Sequence, residues 1–172
     1  RFIKNEYALF LEAPTPLFPG DHALTGLNYK KFYSIEKWFP PLNRFFENLE
    51  DLLKLKVIIA GHPKVIHKEK FPQYYGGREV IQKNTANACV HANVVISRSS
   101  TGLSLGVLNK KPIILIYSNE ISAYTAQKNI TYAFAKELAM EPINIDEPFD
   151  SGKIINLMKV NDQKHEEYKF NY

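Results

Sequence analysis

Val57-Ile58-Ile59-Ala60-Gly61-His62-Pro63 is an apolar run that stops abruptly at a glycine, a histidine and a proline. Val94-Val95-Ile96-Ser97-Arg98-Ser99-Ser100-Thr101-Gly102 follows the same plan: apolar residues, then an arginine and three hydroxyls before a glycine. Both runs are solidly apolar rather than alternating, as strands are when both faces of a sheet are covered. Helix-length amphipathic segments lie between and around them. That alternation implies right-handed crossovers and a parallel sheet. The expected fold class is α/β: a Rossmann-like three-layer domain, its parallel sheet flanked by helices. In such sheets ligands bind beyond the carboxyl ends of the strands. The two strand ends together point to a phosphorylated, nucleotide-like ligand.

Working outward, Tyr7-Ala8-Leu9-Phe10-Leu11 is a first buried strand. A loop punctuated by Pro14, Pro16, Pro19 and Gly20 follows and carries Asp21 and His22. A helix is expected over 28–39, interrupted by Pro40-Pro41, where a second begins. Its apolar stripe is Leu42, Phe45, Phe46, Leu49, Leu52 and Leu53, with polar residues opposite. After the strand over 56–60 comes a basic, loop-like stretch with Lys64, His67, Lys68 and Lys70, whose lysines are read as a solvated rim. Tyr74-Tyr75-Gly76-Gly77-Arg78 is a turn, and 79–81 a short strand. Asn84 is placed to cap a helix over 85–91. Further helices are expected over 102–108, 122–138 and 151–158, and strands over 113–116 and 143–145. The apolar stripe assigned to 122–138 is Ala126, Ile130, Ala133, Phe134 and Leu138. Residues 1–160 form the main domain, and 161–172 a peripheral helix or tail.

The chain has 172 residues, enough for one domain with a real core and few for two. Its 45% hydrophobic and 23% charged residues are those of a globular protein. No apolar run approaches the roughly 18 residues of a membrane span, and no signal peptide is visible. The single cysteine, Cys89, lies in an apolar stretch; it rules out an intrachain disulfide and suits a reducing compartment. The net charge of +4 favours phosphate ligands or an anionic membrane surface but is too diffuse for nucleic acid. The chain begins at Arg1 rather than Met, which suits a fragment or a processed protein.

Several residues could carry chemistry. Ser99, Ser100 and Thr101 precede a helix, where hydroxyls cap free N–H groups and where those groups attract anions. Gly102 removes a Cβ that would block close approach. His62 can donate to a phosphate oxygen; Pro63 keeps it extended, and Gly61 allows an unusual backbone. Arg98 and Arg78 can each fork onto a phosphate or a carboxylate, with a surface ion pair favoured for Arg78. Glu12, Asp21 and Glu120 also follow strands. Glu120 could accept from ribose hydroxyls, as carboxylates do in dinucleotide sites; capping is the plainer role for all three. There is no glycine-rich dinucleotide fingerprint, no P-loop and no GxSxG elbow of a hydrolase. His62 and His67 form no metal set with a cysteine pair.

Ile59-Ala60-Gly61-His62-Pro63-Lys64, then Tyr75-Gly76-Gly77-Arg78, the Ser99-Ser100-Thr101 turn and Asn109-Lys110-Lys111-Pro112-Ile113-Ile114 resemble the carboxyl-terminal, donor-binding half of GT-B glycosyltransferases. The likeness extends over most of residues 7–145. It is greatest to bacterial capsule and lipopolysaccharide enzymes with HP and SS/ST motifs: sialyltransferases, polysialyltransferases, Kdo transferases and polyglycerol-phosphate transferases. The resemblance implies that His62 and Ser99, Ser100 and Thr101 contact the donor nucleotide and its phosphate. Gly61, Pro63, Arg98, Gly102 and Glu120 are then the further donor-site candidates. It implies a CMP- or CDP-activated donor in preference to UDP, a glycan or lipid-linked acceptor, no metal or other cofactor, and a cytoplasmic protein with possible contact at the inner membrane face. The family's acidic D/E-D/E-G triplet has no counterpart here, which implies that the catalytic base and an amino-terminal GT-B domain lie outside this chain. A nucleotide-sugar epimerase and a non-catalytic GT-B-like binding domain are the alternatives.

Overall fold

The computed structural model describes residues 6–18, 20, 24, 34–123 and 125–171, without the side chains of 125–127, 170 and 171. Six strands form one parallel sheet: β1 (Tyr7–Leu11), β2 (Lys56–Ala60), β3 (Val80–Ile81), β4 (Val94–Ser97), β5 (Ile113–Tyr117) and β6 (Ile143–Asn144). Their order is β3-β2-β1-β4-β5-β6, the doubly wound Rossmann order. Leu9 pairs with Ile58 on one side and Val95 on the other, so β1 is the centre of the sheet.

Each strand feeds two cores, because successive side chains point to opposite faces. Ala8, Phe10, Val57, Ile59, Val94, Ile96, Ile114 and Ile116 pack on one side, against α1 (Ile35–Leu53) and α6 (Ser151–Leu157). Leu9, Leu11, Ala60, Val95, Ile113 and Leu115 pack on the other. There they meet α2 (Thr85–His91), α3 (Leu103–Leu108), α5 (Thr125–Glu137) and α7 (Asp162–Asn171). A short α4 (Asn119–Ser122) leads from β5 towards α5. The result is the three-layer α/β domain expected.

Four local expectations need correction. Pro40 and Pro41 do not interrupt a helix; both lie inside the continuous α1. Trp38, Phe39, Pro41, Leu42, Phe45, Phe46 and Leu49 are all buried by it, and that burial offsets the two main-chain bonds the prolines cannot make. The expected helix over 28–33, like Asp21 and His22, lies outside the described residues. Asn84 occupies the N-cap position of α2 but in a left-handed conformation (φ 63°), and its side chain makes no cap bond. In α5 and just after it the buried residues are Thr131, Phe134, Ala135 and Leu138; Phe134 and Leu138 hold their expected places, Ile130 and Ala133 face out, and the Ala126 side chain lies outside the described residues. The helix expected from Ser122 starts at Thr125 instead, Ser122 being the last residue of the separate α4.

The carboxyl-terminal segment is helical, and it packs. Tyr168 and His165 are buried, and the Tyr168 hydroxyl lies 2.9 Å from Ser104 Oγ of α3. Among the described residues no helix is long and apolar enough to cross a membrane.

Candidate functional site

The strand order reverses between β1 and β4. The loops that leave their carboxyl ends diverge there and open a crevice. A cavity of about 370 Å³ occupies it, lined by Ala13, Pro14, Thr15 and Phe18 after β1, His62 after β2, Arg98, Ser99, Ser100 and Thr101 after β4, and Ile130 of α5. Five of the candidate residues, His62, Arg98, Ser99, Ser100 and Thr101, thus share one cleft.

The turn after β4 is braced from within. Ser100 N–H donates to Ser97 Oγ at 3.2 Å, and Gly102 N–H donates to Ser100 Oγ at 3.2 Å. Gly102 is the N-cap of α3; a Cβ there would meet Ser100 Oγ at 3.2 Å. The first amides of the helix behave differently from expectation. Those of Leu103, Ser104 and Leu105 donate to the carbonyls of Ser100, Thr101 and Gly102. No hydroxyl caps this helix. What the turn offers a ligand is therefore hydroxyl groups rather than a row of open N–H groups.

Arg98 is buried (1% exposed). Its Nη2 donates to Thr15 Oγ1 at 2.7 Å, and its guanidinium lies 5.0 Å from the centre of the Trp38 ring. Its carbonyl accepts from the buried Thr131 hydroxyl at 2.8 Å. A permanent positive charge is thereby fixed in the wall of the cleft.

His62 opens a turn: its carbonyl accepts from Val65 N–H at 2.8 Å, with Pro63 at the second position that prolines favour. Its Nδ1 accepts from Lys64 N–H at 3.2 Å. In the neutral ring that places the proton on Nε2, the donor a phosphate oxygen needs. Pro63 is exposed and does not line the cleft. Gly61 serves by absence of bulk rather than by unusual backbone. It is not among the positive-φ glycines, and a Cβ on it would meet His67 Cδ2 and Val80 Cγ1, each at 3.1 Å.

Behind His62 lies a buried network that the sequence does not announce. Glu12 Oε2 accepts from His62 N–H at 2.7 Å and lies 2.8 Å from His67 Nε2; Oε1 accepts from the Tyr75 hydroxyl at 2.7 Å. His67 Nδ1 is 2.6 Å from the Tyr74 hydroxyl. His67, although it lies among the lysines read as a solvated rim, has a side chain only 1% exposed. Burial, and then the neighbouring Glu12 carboxylate, hold the Tyr75 phenol well above the usual tyrosine range and raise Tyr74 as well.

The two tyrosines are held by α1. Arg78 forks onto Glu50, with Nη2–Oε2 at 2.7 Å and Nε–Oε1 at 3.2 Å. Its Nη1 donates to Asn43 Oδ1 and to the Tyr75 carbonyl. Arg78 thus makes the ion pair expected of it, but inside the fold rather than at the surface, its side chain being 10% exposed. Gly76 and Gly77, with φ of +61° and +72°, make the turn that brings it there.

Glu120 lies at the same edge of the sheet but outside the cleft lining. Its carboxylate accepts from Ser34 N–H at 3.2 Å and from the Ser34 hydroxyl at 2.9 Å, clamping the start of α1. Gly102-Leu103-Ser104-Leu105-Gly106 does have the GxSxG spacing of a hydrolase elbow. Ser104 sits inside α3 against Tyr168 rather than on a strand-to-helix turn, so no elbow forms. Among the described residues no group of three or more His, Cys, Asp and Glu is arranged to hold a metal ion.

Comparison of the sequence with protein-family models and with curated proteins finds no match. By structure, the chain is similar to a solved structure described as "the Glycotransferase of kitacinnamycin", at 14% identity and a TM-score of 0.47. The match covers 99% of this chain and 39% of that one. The chain therefore spans well under half the length of that protein. The Rossmann-like fold itself is read directly from the strand order.

Proposed function

We propose that this domain is the donor-binding half of a glycosyltransferase, holding a CMP- or CDP-activated sugar in preference to a UDP sugar. The observation that carries the reading is the convergence of His62, Arg98, Ser99, Ser100 and Thr101 on one cleft at the switch point of the sheet. The cleft volume of about 370 Å³ falls within the size range of ligand pockets, which starts near 300 Å³. The cytidine preference, and a sialic-acid-like or Kdo-like sugar bound for a surface glycan, rest on the resemblance of the HP and SS/ST motifs alone.

In this reading an acceptor hydroxyl attacks the anomeric carbon. The bond from that carbon to the donor phosphate oxygen breaks, and the phosphate leaves with the electron pair. His62 Nε2–H and the hydroxyls of Ser99, Ser100 and Thr101 donate to the oxygens on which negative charge accumulates. Arg98 adds a fixed positive potential behind them. Each well-placed donor of this kind lowers the barrier by ~3 kcal/mol. The acceptor proton passes to a base outside this chain.

Calorimetric titration of CMP, CDP and UDP into the protein tests this. Saturable binding is expected, tighter for the cytidine nucleotides than for UDP, with His62→Ala and Ser100→Ala each weakening it about tenfold, or ~1.4 kcal/mol. Absence of binding by all three nucleotides, or unchanged affinity in both variants, overturns the reading.

A further inference from the structure

The cleft residues do not stand alone. One carboxylate oxygen, Glu12 Oε2, holds both the main-chain N–H of His62 (2.7 Å) and the ring of His67 (2.8 Å). We propose that Glu12 and His67 are positioning residues for His62, part of a buried hydrogen-bonded array that fixes the histidine at the rim of the cleft in its ligand-binding orientation. The proposal rests on the reading of the cleft as a nucleotide-phosphate site.

Three features support it. The centre of the array is closed to solvent, and only its Tyr74 end is half-exposed. The Glu12 and His67 side chains are 2% and 1% exposed, and the other Glu12 oxygen is taken by the buried Tyr75 hydroxyl. Its polarity is set: a carboxylate only accepts, so His67 turns Nε2–H to Glu12, and in the neutral ring Nδ1 is left to accept from Tyr74. Its position is set from both ends. Glu12 N–H donates to the Ala60 carbonyl at 3.0 Å, locking the residue after β1 to the end of β2. The 73–78 turn that carries both tyrosines is clamped to α1 through Arg78, Glu50 and Asn43. Glu12 holds His62 through its main-chain N–H, and so sets where the residue sits. A group that must meet a ligand to within a fraction of an ångström is commonly supported in this way by a second layer of fixed partners.

Glu12 occurs directly after a strand and His67 within a lysine-rich loop, and neither lines the cleft. A role in ligand binding must therefore be exerted through His62, which gives the proposal a signature that a general loss of stability lacks.

The test measures affinity for CMP by calorimetry in wild-type protein, Glu12→Gln, His67→Gln, Tyr74→Phe, His62→Ala and the double variant Glu12→Gln/His62→Ala. Glu12→Gln and His67→Gln preserve shape, and Tyr74→Phe removes only the outermost hydroxyl, so each is expected to fold. Glu12→Gln and His67→Gln should weaken CMP binding at least fivefold, and Tyr74→Phe about twofold. Glu12→Gln should cost nothing further in the His62→Ala background, because its effect passes through the missing ring. An equal loss in both backgrounds makes Glu12 merely structural and overturns the proposal; so does wild-type affinity in Glu12→Gln and His67→Gln. A second readout needs no ligand. The imidazole resonances of His62 should form one sharp set in wild type and shift or broaden in Glu12→Gln and His67→Gln. Unchanged resonances overturn the positioning claim. Failure of wild-type protein to bind CMP, CDP or UDP overturns the nucleotide reading instead, whatever the resonances show.

Discussion

Arg98 Nη2 donates to Thr15 Oγ1 at 2.7 Å between two buried side chains, and that bond ties the turn after β4 to the loop after β1 across the switch point of the sheet. Replacing the acceptor while keeping its shape isolates the bond. Thr15→Val should lower stability by about 1–3 kcal/mol, the cost of depriving a buried polar group of its partner. Urea denaturation measures it; an unchanged midpoint would show that the two loops are held apart from this contact.

Arg78 illustrates the opposite case, an arginine that resembles a ligand fork and is spent on the protein. Its bidentate bond to Glu50 and its contact with Asn43 suit a guanidinium and not an ammonium. Arg78→Lys should cost about 1–2 kcal/mol in stability, because it loosens the clamp that holds the 73–78 turn to α1. A large loss of affinity with intact stability would place Arg78 in the ligand site.

The packing behind Gly61 gives a third expectation. His67 is held at both ring nitrogens, so its ring cannot retreat from a Cβ placed 3.1 Å from Cδ2. Gly61→Ala should destabilise by about 1–3 kcal/mol through overpacking. Gly77, where a Cβ meets nothing within 4 Å, would be penalised only through its backbone angle. Thermal melts of the Gly61→Ala protein that match wild type would contradict the tight seat assigned to His67.

Cys89 sets a pH dependence. Its thiol is buried, and that burial pushes its pKa up to about 11 from the usual 9.0. Between these values the unfolded chain has lost the proton and the folded one keeps it, so stability falls as pH rises. The full contribution is present below pH 9. Its loss, about 1–2 kcal/mol, should be nearly complete at pH 11. Cys89→Ala should flatten this segment of the stability profile; the same slope with and without the thiol would rule Cys89 out as its source. The thiol should also react with a disulfide reagent at pH 8 only after unfolding.

The strands were legible because burial on both faces leaves a signature in consecutive residues, as in Val94-Val95-Ile96 and Ile113-Ile114-Leu115-Ile116. Likewise His62, Arg98, Ser99, Ser100 and Thr101 were legible, since a strand end is marked by an abrupt change of chemistry, whereas Thr15, Phe18 and Ile130 of the same lining carry no such mark. Pro40-Pro41 misled because proline's cost is local, whereas the burial of Trp38, Phe39, Phe45 and Phe46 that outweighs it is tertiary. In the stripe of α5 Phe134 and Leu138 were read correctly, but Ile130 was given the inner place that Thr131, a polar residue, holds through its bond to the Arg98 carbonyl. The Glu12–His67 pair could not be seen at all: the partners are 55 residues apart and joined only by the adjacency of β1 and β2. The sole local trace is Gly61, whose missing Cβ makes room for the ring.

The central claim is that the cleft at the switch point receives the phosphate of a cytidine nucleotide, and a crystal structure of the CMP complex tests it most directly. The phosphate should lie within hydrogen-bonding distance of His62 Nε2 and of at least one hydroxyl among Ser99, Ser100 and Thr101, with Arg98 behind it. CMP seated elsewhere, for instance in the larger groove of about 640 Å³ walled by Leu17, Val65, Ile66 and Tyr74, with the cleft untouched, would contradict the account.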